Sequence, residues 1–130
     1  MTEKFNPFTL EGKSILVTGA SSGIGRATAI VCSKMGASLL ITGRNEQRLN
    51  ETFNELKGEN HHSIIADLST SEGRRQLLDH VEKIDGVVHC AGISGHKVFQ
   101  FLKDTEIEEM FDINFNTPLL LSRDLVKKKK

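Results

Sequence analysis

Thr18-Gly19-Ala20-Ser21-Ser22-Gly23-Ile24-Gly25 joins two segments of different periodicity, and its reading decides the fold. Before it, Ser14 to Thr18 is a near-continuous apolar run bounded by Gly12 and Gly19, which fits a β-strand covered on both faces. After it, Gly23 to Met35 has helical spacing, with Ile24, Ala27, Ile30, Val31 and Cys32 expected on the inward side and Gly36 as the stop. A strand, a glycine-rich turn and a helix follow one another directly.

The same alternation continues outward. Ser38 to Thr42 reads as a second strand, and Asn45 caps a helix to about Lys57 with Leu49, Phe53 and Leu56 inward and Gly58 as its end. Ser63 to Ala66 is a third strand, Ser71 caps a helix to about Glu82, and Asp85 to Cys90 is a fourth strand ending at Ala91-Gly92. This βαβαβαβ order with short connections predicts parallel strands, right-handed crossovers and an open α/β sheet covered by helices on both faces. Past Gly92 a loop or short helix leads to Lys103. Asp104 to Lys130 is helical, with Leu119, Leu120, Leu121, Leu125 and Val126 apolar and Pro118 marking a kink or helix start.

In the turn itself each glycine has a physical task. Gly19 permits the tight turn, Gly23 lets a diphosphate approach the backbone, and Gly25 allows close packing of helix on strand. Helix N-terminal amides, with the Ser21 and Ser22 hydroxyls, would hold the anion. The spacing is GxxxGxG rather than the general GxGxxG. TGASSGIG resembles the cofactor loop of the short-chain dehydrogenase/reductase family, in its shorter single-domain branch. Asp67-Leu68 resembles the family's adenine-contacting pair. Cys90-Ala91-Gly92 resembles the end of its NNAG motif, with His89-Cys90 replacing two asparagines, and Asp112-Ile113-Asn114 resembles the helical segment whose asparagine supports a proton relay. The resemblance implies a Rossmann-like doubly wound sheet, incomplete at about four strands in the order 3-2-1-4.

Cofactors with a free ribose 2′-hydroxyl are selected by an acidic residue about twenty positions after the glycine loop, and a 2′-phosphate by arginine. Here the second strand runs into Gly43-Arg44-Asn45, with no carboxylate before Glu46. Arg44 therefore favours NADP(H) over NAD(H). A cation at a helix start opposes the dipole unless an anion joins it.

The chain holds 130 residues, 38% of them apolar, and contains neither Tyr nor Trp. One domain, residues 1–130, is the expectation. The family transfers hydride with a tyrosine acid/base, a lysine that lowers its pKa and an orienting serine, all after the fifth strand. Of that catalytic set only Asn114 maps here, so the resemblance implies the cofactor-binding half of a reductase, inactive alone and interconverting a carbonyl and a secondary alcohol when whole. Phe8-Thr9-Leu10-Glu11-Gly12-Lys13 resembles members acting on 3-oxoacyl substrates. The alternative is a non-catalytic dinucleotide-binding or interaction module.

Basic and acidic residues balance at 17 each, but without Lys127 to Lys130 the body has 13 basic against 17 acidic residues, a net charge of −4. That argues against nucleic acid as a partner. Cys32 and Cys90 lack metal spacing, and no continuous apolar stretch suggests a leader or membrane span, so no metal, reduced thiols and a cytoplasmic location are expected. His61-His62 reads as solvated and His96 as a plain loop residue. The resemblance implies a small-molecule substrate and a homo-oligomer assembled through the helix from about Asp112 onward.

Overall fold

The computed structural model describes residues 5–93 and 97–128. Four strands, β1 (Ser14–Thr18), β2 (Ser38–Gly43), β3 (His62–Ile65) and β4 (Gly86–His89), form one parallel sheet in the order β3-β2-β1-β4. Ser14 pairs with Ser38, Ile15 with Gly86, and Leu40 with His62. Between them run α1 (Gly23–Lys34), α2 (Glu46–Glu55) and α3 (Ser71–Asp79). A 3₁₀ turn at Phe99–Phe101 precedes α4 (Asp104–Phe111), a π-helical turn at Asp112–Asn116 and α5 (Thr117–Lys127).

Adjacent residues of β1 serve two cores, because side chains alternate across a strand. Leu16 enters one with Leu77, Leu78, Val81, Leu121 and Leu125, on the side of α3 and α5. Val17 enters the other with Ala29, Leu39, Ile41 and Leu49, on the side of α1 and α2. The sheet is therefore Rossmann-like and covered on both faces.

Two local expectations are corrected, the inward face of α1 and the cap of α3. The inward face of α1 is Gly25, Ala29 and Ser33, while Ile24 stands 80% exposed and Ala27 and Val31 are also exposed. A Cβ on Gly25 would collide with the Gly19 carbonyl, so this contact sets the rotation of the helix and only small residues fit beneath it. Thr70, rather than Ser71, caps α3: its Oγ1 accepts from the Gly73 amide at 2.9 Å, and the helix ends at Asp79. In the last helix Leu121 and Leu125 are buried but Leu119 and Val126 are exposed.

Pro118 both disturbs and starts a helix. It has no N–H to donate, and the turn before it widens so that the Thr117 amide bonds the Asp112 carbonyl. The Thr117 hydroxyl donates to the same carbonyl at 2.7 Å.

Candidate functional site

The turn after β1 is held main chain to main chain. Gly19 has φ +62°, and a Cβ on it would lie 2.5 Å from the Ala91 nitrogen and 2.6 Å from the Cys90 carbonyl carbon. Only glycine lets the β1 and β4 ends approach this closely. Gly23 also has a positive φ, +58°, but the space beside it is open. At the start of α1, Ser22 makes no side-chain cap and the first turn has no acid. The helix thus presents orphan amides and the positive end of its dipole to whatever lies in front.

In front lies a cleft of about 710 Å³ along the C-terminal strand ends. Gly19, Ser21, Ser22, Gly23, Ile24 and Gly25 line it at one turn, Arg44 at the end of β2, Asp67 and Leu68 after β3, and Cys90, Ala91 and Gly92 after β4. Twelve sequence-predicted residues, distant in the chain, thus share one concavity.

Of the sequence-predicted residues, Thr18 and Asn114 do not line the cleft, and Thr18 lies below it. Thr18 is buried, and its hydroxyl accepts from the Cys90 amide at 3.1 Å and the Ala91 amide at 3.2 Å. Its role here is to fix the floor.

Asn114 is drawn against the same floor by the π-helical turn. Its Oδ1 accepts from the Ile93 amide and its Nδ2 donates to the Ile93 carbonyl, both at 2.7 Å. Both ends of the amide are therefore engaged in holding the loop after Gly92 to the helix.

Asp67 accepts from the Ser69 hydroxyl at 2.6 Å and the Ser69 amide at 3.0 Å. The hydroxyl bond is the main reason its carboxyl is held below the usual range, with the Arg44 charge adding to it. Arg44 itself is exposed, and among the described residues its side chain makes no hydrogen bond or ion pair. His89 shares a 3.0 Å hydrogen bond with the Ser122 hydroxyl on α5, and desolvation holds its imidazole below the ordinary histidine value.

Sequence reasoning missed Thr42, Gly43, Asn45, Arg48, Ser69, Ile113 and Thr117, which also line the cleft. Arg48 carried a signal: it stands three positions after the Asn45 cap, in the first turn of a helix that starts two residues after Arg44. Ile113 stood inside the Asp112-Ile113-Asn114 motif without a role of its own, and Thr117 carried no signal, because the fold alone brings it to the strand ends. His61 is a further correction to the solvated reading: its Nδ1 accepts from the Leu39 amide at 3.0 Å, and Nε2 lies 2.6 Å from the Lys57 carbonyl. It joins β2 to the end of α2. His96 lies outside the described residues. Among the described residues no group of three or more His, Cys, Asp or Glu side chains could hold a metal, and no helix is long and apolar enough to cross a membrane.

The chain is similar to known proteins in sequence and in fold. The chain is 35% identical over 119 residues to the 3-oxoacyl-[acyl-carrier-protein] reductase FabG of Rickettsia prowazekii (strain Madrid E), covering 92% of this chain and 49% of that protein. It is 33% identical over 129 residues to the uncharacterized oxidoreductase YvaG of Bacillus subtilis (strain 168), covering 93% and 49%. The crystal structure of a short-chain dehydrogenase/reductase from Vibrio parahaemolyticus superposes with a TM-score of 0.78 at 30% identity, covering 87% of this chain and 53% of that one. The chain spans about half the length of the curated relatives it matches. With the glycine turn, the parallel sheet and the cleft in place, the match of residues 13–130 to the short chain dehydrogenase family model is the concluding observation: the chain belongs to that family.

Proposed function

We propose that residues 1–130 form a dinucleotide-binding domain that takes NADP(H) in the cleft and serves an oxidoreductase interconverting a carbonyl and a secondary alcohol. The observation that carries this reading is the cleft itself, with an uncapped helix N-terminus at one end and an unpaired arginine, Arg44, at the other. The open space beside Gly23 fits a diphosphate, whose charge suits the amides of α1. Asp67 and Leu68 would hold the adenine, and Cys90, Ala91 and Gly92 would border the remainder of the cofactor. Bound there, the nicotinamide would supply or accept hydride.

The chain's own residues orient and shape the site. Thr18 fixes the floor, Asn114 holds the loop at Ile93, and Arg44 selects the 2′-phosphate. A 3-oxoacyl thioester is the substrate class we favour, because five reductases of that printed activity are 34–36% identical to this chain.

Binding of NADPH and NADH to Arg44→Asp tests the cofactor assignment. NADPH should weaken by about tenfold or more, as expected for loss of a charge-assisted contact and gain of a repulsion, with NADH nearly unaffected. Equal losses would sink the assignment. A second reading, a binding module without turnover, is favoured by the absence of tyrosine from all 130 residues. NADPH oxidation with a panel of ketones separates the two readings.

A further inference from the structure

Resting on the NADP(H) reading, we propose that Arg48 is a second specificity-determining residue, which with Arg44 takes the cofactor's 2′-phosphate between two guanidinium groups. Arg48 lines the cleft four residues after Arg44, in the first turn of α2. Among the described residues Arg26 pairs with Glu51, and Arg74 and Arg123 pair with Asp124, whereas Arg44, Arg48 and Arg75 have no side-chain partner, and of these three only Arg44 and Arg48 line the cleft. Both sit at the N-terminal end of α2, where the dipole disfavours a cation. Glu46, the acid of that first turn, does not line the cleft, and Asp67 is engaged with Ser69. Two unpaired cations at one end of a cleft call for an anion, and a phosphate monoester carrying between one and two negative charges near neutral pH matches them.

One further observation favours a ligand at this end. The Thr42 hydroxyl, on a fully buried residue that borders the cleft two positions before Arg44, has no hydrogen-bond partner. A buried hydroxyl is rarely left unpaired, and a bound polar group would satisfy it. The backbone of Arg48 is also fixed. Its amide donates to Asn45 Oδ1 at 3.0 Å, and its carbonyl accepts from Arg26 Nη2 at 3.1 Å. The same Arg26 nitrogen donates to the Ser21 carbonyl at 2.9 Å. Arg26 thus ties the glycine turn to the Arg48 turn, holding the diphosphate end and the 2′-phosphate end in one frame.

The test is titration of the full chain and its R44Q, R48Q, R48K and double-glutamine variants with NADPH, NADH, adenosine 2′,5′-bisphosphate and 5′-AMP. R48Q should lose about tenfold in affinity for the two ligands bearing a 2′-phosphate and change little for the other two, with R48K intermediate. The double variant should lose the preference almost entirely. If R44Q erodes the preference and R48Q does not, this inference is overturned while the NADP(H) reading stands. If R48Q weakens all four ligands equally, the residue shapes the loop and the inference fails. If the parent chain shows no preference for the 2′-phosphate, the underlying reading fails with it. Arg48 is exposed and its side chain is unbonded, so thermal melts of R48Q should match the parent.

Discussion

The two halves of the sheet are built differently. At β1 and β2, Leu16, Val17, Leu39 and Ile41 are essentially inaccessible to solvent, and strands and helices close around the glycine turn. At β4 every residue is partly or fully exposed, and among the described residues β1 is its sole strand partner. Beyond it Phe99, Phe101, Phe111 and Phe115 stand exposed, and α4 buries no residue. The cleft is therefore bordered on one side by fully buried strands, while on the other Leu121 and Leu125 anchor α5 and polar ties hold the loop after β4, with several apolar side chains left exposed. The contrast teaches that the β1–β2 end of the cleft is closed by packing within these residues, whereas the β4 end depends on specific hydrogen bonds made by Thr18 and Asn114.

The sharpest way to break the contrast is a matched pair of truncations. Leu16→Ala should cost about 2–5 kcal/mol, while Leu119→Ala, at a 56% exposed site, should stay within about 0.5 kcal/mol in denaturant unfolding. Similar costs would show that α5 is covered in solution. A smaller effect is expected from Asn114→Ala, about 1–2 kcal/mol for the two Ile93 hydrogen bonds. Hydrogen exchange should report it as faster opening around Ile93, with β1 and β2 unchanged. Uniform loss of protection would show that the clasp supports the whole sheet. The smallest effect is acid sensitivity at His89. Its folded pKa is depressed, so the unfolded chain binds the proton more readily, and the contribution present above about pH 6.5 is lost as pH falls below it. Tm should therefore decline modestly between about pH 7 and pH 5 in the parent and less so in His89→Asn; identical profiles would remove His89 from the account.

Much of the first half was legible in the sequence because its determinants are local. Near-continuous apolar runs, glycine stops and the Asn45 cap act within a few residues, and the observed strands differ from expectation only at their ends. The turn glycines were legible for the same reason. The rotation of α1 was not, because apolar spacing points Ile24 and Val31 inward while the Gly25 contact with Gly19 turns them out. Nor was the role of Thr18, whose partners Cys90 and Ala91 lie 72 and 73 positions away.

By itself the sequence determined a parallel α/β sheet, the place of the glycine turn between strand and helix, and the family resemblance carried by its motifs, since each rests on short-range patterns of residue type. Only the tertiary structure decided that the strand ends converge on one cleft, that Arg48 joins Arg44 on its rim, and that Asn114 clasps Ile93. Those depend on strand order and helix rotation, which arise from main-chain contacts between segments far apart in the chain.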